Sequence, residues 1–340
     1  MKLFFSIITP CFNREKEILF LIDSIKNQSY SSDNYELIIV DDGSKDNSRS
    51  IIKNKIINSD INISLIKQKN KGPGTARNNG MKNAKGNFYL FIDSDCEAHK
   101  NWLEEINEQY QKNKFDAFGG PDSYRDNFSD LQKSIDFSMN SFFTTGGLRG
   151  STIKRLAKFY PRSHNMGIKS SVFHKIGGFG KLRHGQDIEF SNRIINNGFK
   201  VNFLQKAIVF HRRRTTLKNF FKQVFNWGVA RINLGVIDKK MLEPLHFVPA
   251  SATLLFFFLL IGTLFYPIFF FNILIVLFLS LIVISLTGSI KIKNFKSFFL
   301  LIIIIPLQIF GYGAGFIYNF VNRFIFKNNE FIGFKKKYYK

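Results

Sequence analysis

Residues 91–96 read FIDSDC: an apolar run stops on two aspartates one residue apart. The stretch leading in, FYLFI at 88–92, has the continuous apolar character of a buried strand. Side chains at i and i+2 of a strand point to the same side, so Asp93 and Asp95 are expected to project together. Two carboxylates held side by side raise the cost of ionising each other. A bound cation removes that repulsion, and what such a cation would hold depends on the sequence around it.

Strand and helix signals alternate outward from this point. Strands are expected at Phe4–Thr9, Glu36–Asp41, Ile63–Lys67 and Asn87–Asp93, with helices at Glu15–Lys26, about Asn47–Ile57 and Thr75–Ala84 between them. This order implies a mostly parallel sheet with right-handed crossovers, and ligands of such sheets bind at the carboxyl ends of the strands. The polar clusters fall at those ends: TPCFNRE (9–15), DDGSKDNS (41–48) and DSDCE (93–97). No G-x-G-x-x-G follows the first strand. KGPGTARNNG (71–80) lacks the Gly-Lys-Ser/Thr ending of a P-loop, so neither dinucleotide nor P-loop chemistry is indicated.

The chain has 340 residues, a formal charge of +23 and 41 phenylalanines, and the charge and the apolar mass occupy different places. No charged residue occurs from Phe247 to Ile290 or from Ser297 to Asn322. At about 20 apolar residues per crossing, the first stretch holds two spans, 247–266 and 268–288, and the second holds a third segment, 297–322. The N-terminal apolar run is short and stops at Pro10, so it reads as a first strand rather than a signal peptide, and the head is expected in the cytoplasm. Two cysteines, Cys11 and Cys96, have no metal-ligand spacing. Basic charge is densest from Arg149 to Lys240, including Arg212–Arg214. With no recognised nucleic-acid module beside it, the expected partner is anionic membrane lipid and not nucleic acid.

SIITPCFNRE, ELIIVDDGSKDNS, KGPGTARNNG and FIDSDC, in this order, resemble family 2 glycosyltransferases of the GT-A fold. NMGIKSSVFHKIGGFG (165–180), GQDIEFSNRIINNGFK (185–200) and AIVFHRRR (207–214) extend the resemblance over about residues 5–235. The tail is similar to membrane-attached members that build extracellular polysaccharides, such as the succinoglycan-type transferases. The resemblance implies an α/β fold, a Rossmann-like, mostly parallel GT-A catalytic head at 1–214. It is followed by an amphipathic interfacial helix and linker at 215–245, a transmembrane region at 246–326 and a basic tail at 327–340. It implies hexosyl transfer with inversion from a nucleotide-sugar donor, expected to be a UDP-sugar, to a lipid-linked or surface-glycan acceptor.

Site residues follow from the same resemblance. Asp95 is the expected direct ligand of Mg²⁺ or Mn²⁺, with Asp93 sharing that cation and lying nearer the ribose, Glu97 as a further ligand, and His211 as a metal ligand or a contact to the diphosphate; paired carboxylates suit such ions. Asp42 is expected to read the nucleobase, Phe12 to stack on it, Pro10 to shape the pocket and Arg77 to face the donor. Asn165 and Gly167 are placed on the acceptor side. Asp187 is the expected base, because single displacement needs one group to take the proton of the acceptor hydroxyl. Gln186 stands where resembling proteins usually carry Glu.

Each assignment has a plainer counterpart. Ser94 or Asp95 would cap the helix through Trp102, Asp42 would be a turn residue, Phe12 would be core, Arg77 would lie on the surface, and Asp187 would only start a helix. Two rival functions remain: a polyprenyl-phosphate sugar synthase, whose phosphate acceptor needs no strong base, and a non-catalytic nucleotide-binding membrane scaffold.

Residues 215–234 are amphipathic, with Leu217, Phe220, Phe221, Val224 and Trp227 on one side, and are expected to lie on a bilayer. Within them QVFNW (223–227) departs from the Q-x-x-R-W of processive synthases at Asn226. In the third membrane segment Pro306 removes a backbone donor, and Gly311, Gly313 and Gly315 weaken the helix. That segment is therefore expected to bend back or lie partly in the membrane, keeping the basic tail with Lys327, Lys335, Lys336, Lys337 and Lys340 cytoplasmic.

Overall fold

The computed structural model describes residues 2–145 and 158–334; the tail lysines from Lys335 and the basic residues at 149–157 lie outside these. The described residues form two compact units, one of 2–123 and 160–212, the other of 124–145, 158–159 and 213–334. The division differs from the linear expectation of a head at 1–214, because residues 124–145 group with the C-terminal helices.

The first unit opens with β1 (Phe5–Cys11), α1 (Ile18–Lys26), β2 (Tyr35–Asp41), α2 (Ser48–Ile57), β3 (Asn62–Lys67), α3 (Pro73–Lys82) and β4 (Phe88–Phe91). It continues with β5 (Cys96–Ala98), α4 (Trp102–Lys112), β6 (Ala117–Gly119) and β7 (Asp122–Ser123). In the second unit lie α5 (Asp130–Asn140) and α6 (Phe142–Thr145). The chain then returns to the first unit with β8 (Met166–Lys169), α7 (Ser170–Ile176), α8 (Gln186–Asn196), β9 (Val201–Phe203) and β10 (Val209–His211).

Among the described residues, seven strands form one sheet in the order β3-β2-β1-β4-β8-β6-β9. The four expected strands are parallel to one another, whereas β8 runs antiparallel between β4 and β6. Both faces are buried. Phe5, Ile7, Leu37, Ile39 and Leu90 face α1, α2 and α4, while the alternate residues Ile8, Ile38, Val40, Tyr89 and Phe91 face α3, α7 and α8. A second sheet, β5-β10-β7, stands beyond the carboxyl end of β4 and brings His211 opposite Cys96.

Gly167 belongs to the packing of the main sheet. It sits mid-strand in β8, and a Cβ there would lie 2.3 Å from the Phe118 ring and 2.7 Å from Leu90. Its place is in the core and not on an acceptor surface.

The second unit adds α9 (Leu217–Ile237), α10 (Val248–Gly262), α11 (Pro267–Ile292) and α12 (Lys296–Phe320), the last continued by a π-helical turn to Ile325. The helix α5 begins with a capping box between Ser129 and Gln132, and Thr216 caps α9 by accepting from the Asn219 N–H. Two expectations change here. Of the two courses expected for 297–322, bending back or lying partly in the membrane, the first does not occur, because the segment is one continuous helix through Pro306. The apolar side of α9 packs against its own chain: Phe220 and Val224 are fully buried with Ile304, Ile135 and Met139.

The glycines explain both changes. A Cβ at Gly315 would lie 2.1 Å from the Phe225 carbonyl, one at Gly228 would lie 2.2 Å from the Tyr312 carbonyl, and one at Gly311 would meet Val224 at 2.6 Å. These positions are where the α9 and α12 backbones touch, as small residues allow in closely packed helix pairs. The packing gained there offsets the weak helix propensity of glycine.

Candidate active site

The strand ends of the first unit build the site. At β1 the chain faces β2 through Cys11, whose carbonyl accepts from the Asp42 N–H at 2.8 Å, and faces β4 through Ile8, which accepts from Ile92 at 3.4 Å. Pro10 therefore faces the side where β4 has already ended, so its missing N–H leaves no ladder bond unmade. The strand β4 leaves the sheet there, and Asp93 and Asp95 follow in the gap. Phe12 is half-buried just past β1.

Asp93 is ion-paired to Arg77, which is 5 % exposed and rises from α3. The guanidinium stacks at 5.3 Å on the Phe179 ring, so Arg77 is a buried site group and not a surface arginine. Asp95 does not cap α4, whose N-cap is Asn101. It is 8 % exposed, accepts from Arg14 Nη2 at 3.2 Å, and lies 3.4 Å from His211 Nε2. The other ring nitrogen, His211 Nδ1, is 3.5 Å from Asp122 Oδ2, and His164 Nε2 approaches the same oxygen at 3.2 Å. His211 thus joins two clusters, Asp95 with Cys96 on its Nε2 side and Asp122 with His164 on its Nδ1 side.

These groups fit a divalent ion. Around an octahedral ion with ligands at ~2.1 Å, neighbouring ligand atoms stand ~3.0 Å apart, close to the separation of Asp95 and His211. Of the two expected ions, a nitrogen ligand favours Mn²⁺ over the strictly oxygen-seeking Mg²⁺. Glu97 is not among these groups. Arg212 donates to its Oε1 from Nε and Nη2, at 3.1 and 2.7 Å, and holds it on the β5–β10 sheet.

Asp42 is 3 % exposed, and its carboxylate accepts from Gln68 Nε2, Lys71 N and Gly72 N at 2.7–2.8 Å. It shapes the 68–72 loop ahead of α3 instead of standing open. Asn165 is fully buried: it donates to the carbonyls of Pro121 and Ala207 and accepts from the Trp102 indole. Those three bonds make it a structural tie, which removes it from an acceptor surface.

Asp187 occupies the first turn of α8, reached through Gly185 at φ +80°. Burial opposes its ionisation, but the positive charges of Arg162, then Arg77 and His164, overcome this and hold the carboxyl below the ordinary range. The helix start adds to the same effect. The group is therefore charged and ready to accept a proton throughout the neutral range. With Arg162→Met the carboxyl moves back up, so the acid limb of kcat/KM is expected at higher pH than in the parent chain, read from a pH–rate profile. An unmoved limb would show that Arg162 does not act on Asp187.

Sequence reasoning missed Arg14, Asp122, Arg162 and His164. Asp122 lies on a two-residue strand and His164 in a turn, so neither carries a periodic signal.

The family model for glycosyl transferase family 2 matches residues 6–178. Glycosyltransferase GlyG of Streptococcus pneumoniae is 33 % identical over 244 residues, covering 69 % of this chain and 79 % of that protein. A dolichyl N-acetyl-α-D-glucosaminyl phosphate 3-β-D-2,3-diacetamido-2,3-dideoxy-β-D-glucuronosyltransferase of Methanococcus voltae is 27 % identical over 259 residues, covering 72 % of this chain and 79 % of that protein. Among solved structures, mannosyltransferase PcManGT from Pyrobaculum calidifontis, in complex with GDP-Man and Mn²⁺, superposes with a TM-score of 0.66. It shares 14 % identity, over 95 % of this chain and 88 % of that one, a likeness of fold.

Proposed function

Because the chain belongs to glycosyl transferase family 2, we propose that it transfers a hexosyl group with inversion from a nucleotide-diphosphate sugar to a lipid-linked or surface-glycan precursor. The observation that carries this reading is one continuous line of charge. Asp187, ionised by its cationic neighbours, stands near Arg77; Arg77 pairs with Asp93; and Asp95 with His211 comes two residues on. This chain of charge supports a reading in which the base and the site of an anionic leaving group lie next to each other.

In this reading Asp187 accepts the proton of the acceptor hydroxyl as that oxygen attacks the anomeric carbon. The nucleotide diphosphate departs from the opposite face of the sugar, which inverts the configuration. Asp95 and His211 are the residues to hold a divalent ion, which when bound supplies charge neutralisation for the leaving diphosphate. Arg77 fixes Asp93 and contributes positive potential between the donor side and the base. The lipid-linked acceptor is supported by the activity that names the Methanococcus relative, which acts on a dolichyl-phosphate sugar. Three helices long and apolar enough to cross a membrane accord with attachment to the cytoplasmic membrane, with the catalytic unit in the cytoplasm. The test is a screen of nucleotide sugars for diphosphate release by membranes containing the chain; no release with any donor and lipid-linked acceptor would reject it.

Asp122 has a supporting part in this scheme. With its carboxylate on Nδ1 of His211, the imidazole keeps Nε2 turned to Asp95. Such outer partners set ligand orientation and are worth roughly 10–100-fold in metal affinity. Asp122→Ala is therefore expected to weaken Mn²⁺ binding by roughly that factor, measured by electron paramagnetic resonance of free Mn²⁺ without donor. Unchanged affinity would remove the role.

A further inference from the structure

Among the described residues, the second unit contains three helices that length and composition alone would allow to cross a membrane, Pro244–Gly262, Pro267–Ile292 and Lys296–Ile325. Their contacts do not treat them alike. Near its start α12 meets the end of α11, where a Cβ on Gly288 would lie 2.4 Å from Leu301 and where Ile292 and Ile305 join Leu301 in one cluster. Near its end α12 meets the beginning of α10: Phe247 packs on Phe316 at 5.0 Å, and Gly313 faces the Pro249 carbonyl and Thr253. The far ends of α10 and α11 close on each other, with Gly262 and Phe258 against Phe270.

The geometry points to α12 lying along the membrane face, bridging the two feet of a single inserted hairpin made of α10 and α11. A hairpin that crosses twice starts and ends on the same face. The first residues of α10 and the last of α11 are those feet, and α12 touches one at Leu301 and the other at Phe316. These contacts are 15 residues apart, about 22 Å at 1.5 Å per residue. Were α12 to cross, Phe247 would lie ~22 Å deeper than Gly288 in a hydrocarbon layer ~30 Å thick, and α10 would begin near the side it should reach.

Charge gives an independent reason. The helix α9 runs alongside α12 in the same direction, from Phe220 near Ile304, through Val224 against Gly311, to Asn233 bonded to Asn319. It carries Lys218, Lys222 and Arg231. A crossing α12 would take α9 into the bilayer, at a cost of about 2.5–3.5 kcal/mol for each such side chain near the centre. An in-plane α12 leaves α9 toward water and gives its own other side to lipid. Both ends of α12 are also basic, with Lys291 and Lys293 before it, Lys296 at its first position and Arg323 and Lys327 after it, and basic flanks favour the cytoplasmic side. By contrast, α11 is almost unburied, with Phe269, Phe271, Val276 and Phe278 exposed for lipid.

The inference rests on membrane attachment as proposed for the function, and fractionation separates the two: a chain found in the soluble fraction ends both, whereas cysteine labelling ends only this one. Asn127 and Asn329 are exposed at opposite ends of this arrangement, and Cys11 and Cys96 are buried and silent. Single variants Asn127→Cys and Asn329→Cys are treated with an impermeant thiol reagent in intact and then permeabilised cells. Both are expected to label only after permeabilisation. Labelling of Asn329→Cys alone in intact cells would mean that α12 crosses. A fusion after Lys340 repeats the test without cysteine substitution: green fluorescent protein should fluoresce there and alkaline phosphatase should be inactive, and the reverse result overturns the inference.

Discussion

Replacing Asp187 by Asn is expected to lower the transfer rate at least ~10²-fold while leaving donor affinity nearly unchanged, since a general base contributes that much. The amide keeps the shape and the acceptor oxygen that bonds the Ile188 N–H at 3.0 Å, so the start of α8 survives. Only the charge held by Arg162, Arg77 and His164 is lost. Rates and donor binding measured separately decide the role. If donor binding collapses, Asp187 serves the donor site. If substantial activity remains, the acceptor is already an anion, and a polyprenyl-phosphate sugar synthase becomes the better reading.

The second large effect is expected at Asp95. Asp95→Ala should abolish turnover. In the parent chain EDTA should do the same reversibly, with Mn²⁺ restoring activity better than Mg²⁺ if, as proposed, His211 supplies a nitrogen ligand. The alanine variant should not recover with either ion. Full activity in the presence of chelator would remove the cation from the mechanism and leave Arg14 and Arg77 as the counter-charges of the leaving group.

The parts of this molecule that periodicity controls were legible in its sequence. Strands β1 to β4 and the helices between them lie within a few residues of where alternation and polar clusters put them, because both faces of the sheet are filled by the same repeating pattern. The aspartates of FIDSDC could be read for a similar reason: a buried parallel strand has to end, and the residues just beyond its carboxyl end stand at the ligand edge of the sheet.

Pairing decided by tertiary partners was not legible. The i, i+2 spacing makes Glu97 look like a third ligand, and only Arg212, 115 residues away, shows that its carboxylate is already engaged. The resemblance places Asn165 on the acceptor side, yet three bonds to Trp102, Pro121 and Ala207 make it internal. Asp42 sits where a donor-reading carboxylate should, but loop donors satisfy it. The apolar stripe of α9 shows that a face must be covered without saying by what. Lipid and α12 satisfy the hydrophobic effect alike, and the choice is made by Gly228, Gly311 and Gly315, which let two backbones touch.

Single-displacement transfer by Asp187 from a nucleotide-diphosphate sugar fixes the anomeric configuration of the product, and that configuration is the decisive measurement. Once the donor screen has identified a substrate, proton NMR of the newly formed glycosidic linkage gives that configuration against the donor's own. Single displacement requires the opposite anomer, with one equivalent of nucleotide diphosphate released per linkage. A product that keeps the donor's configuration would contradict it.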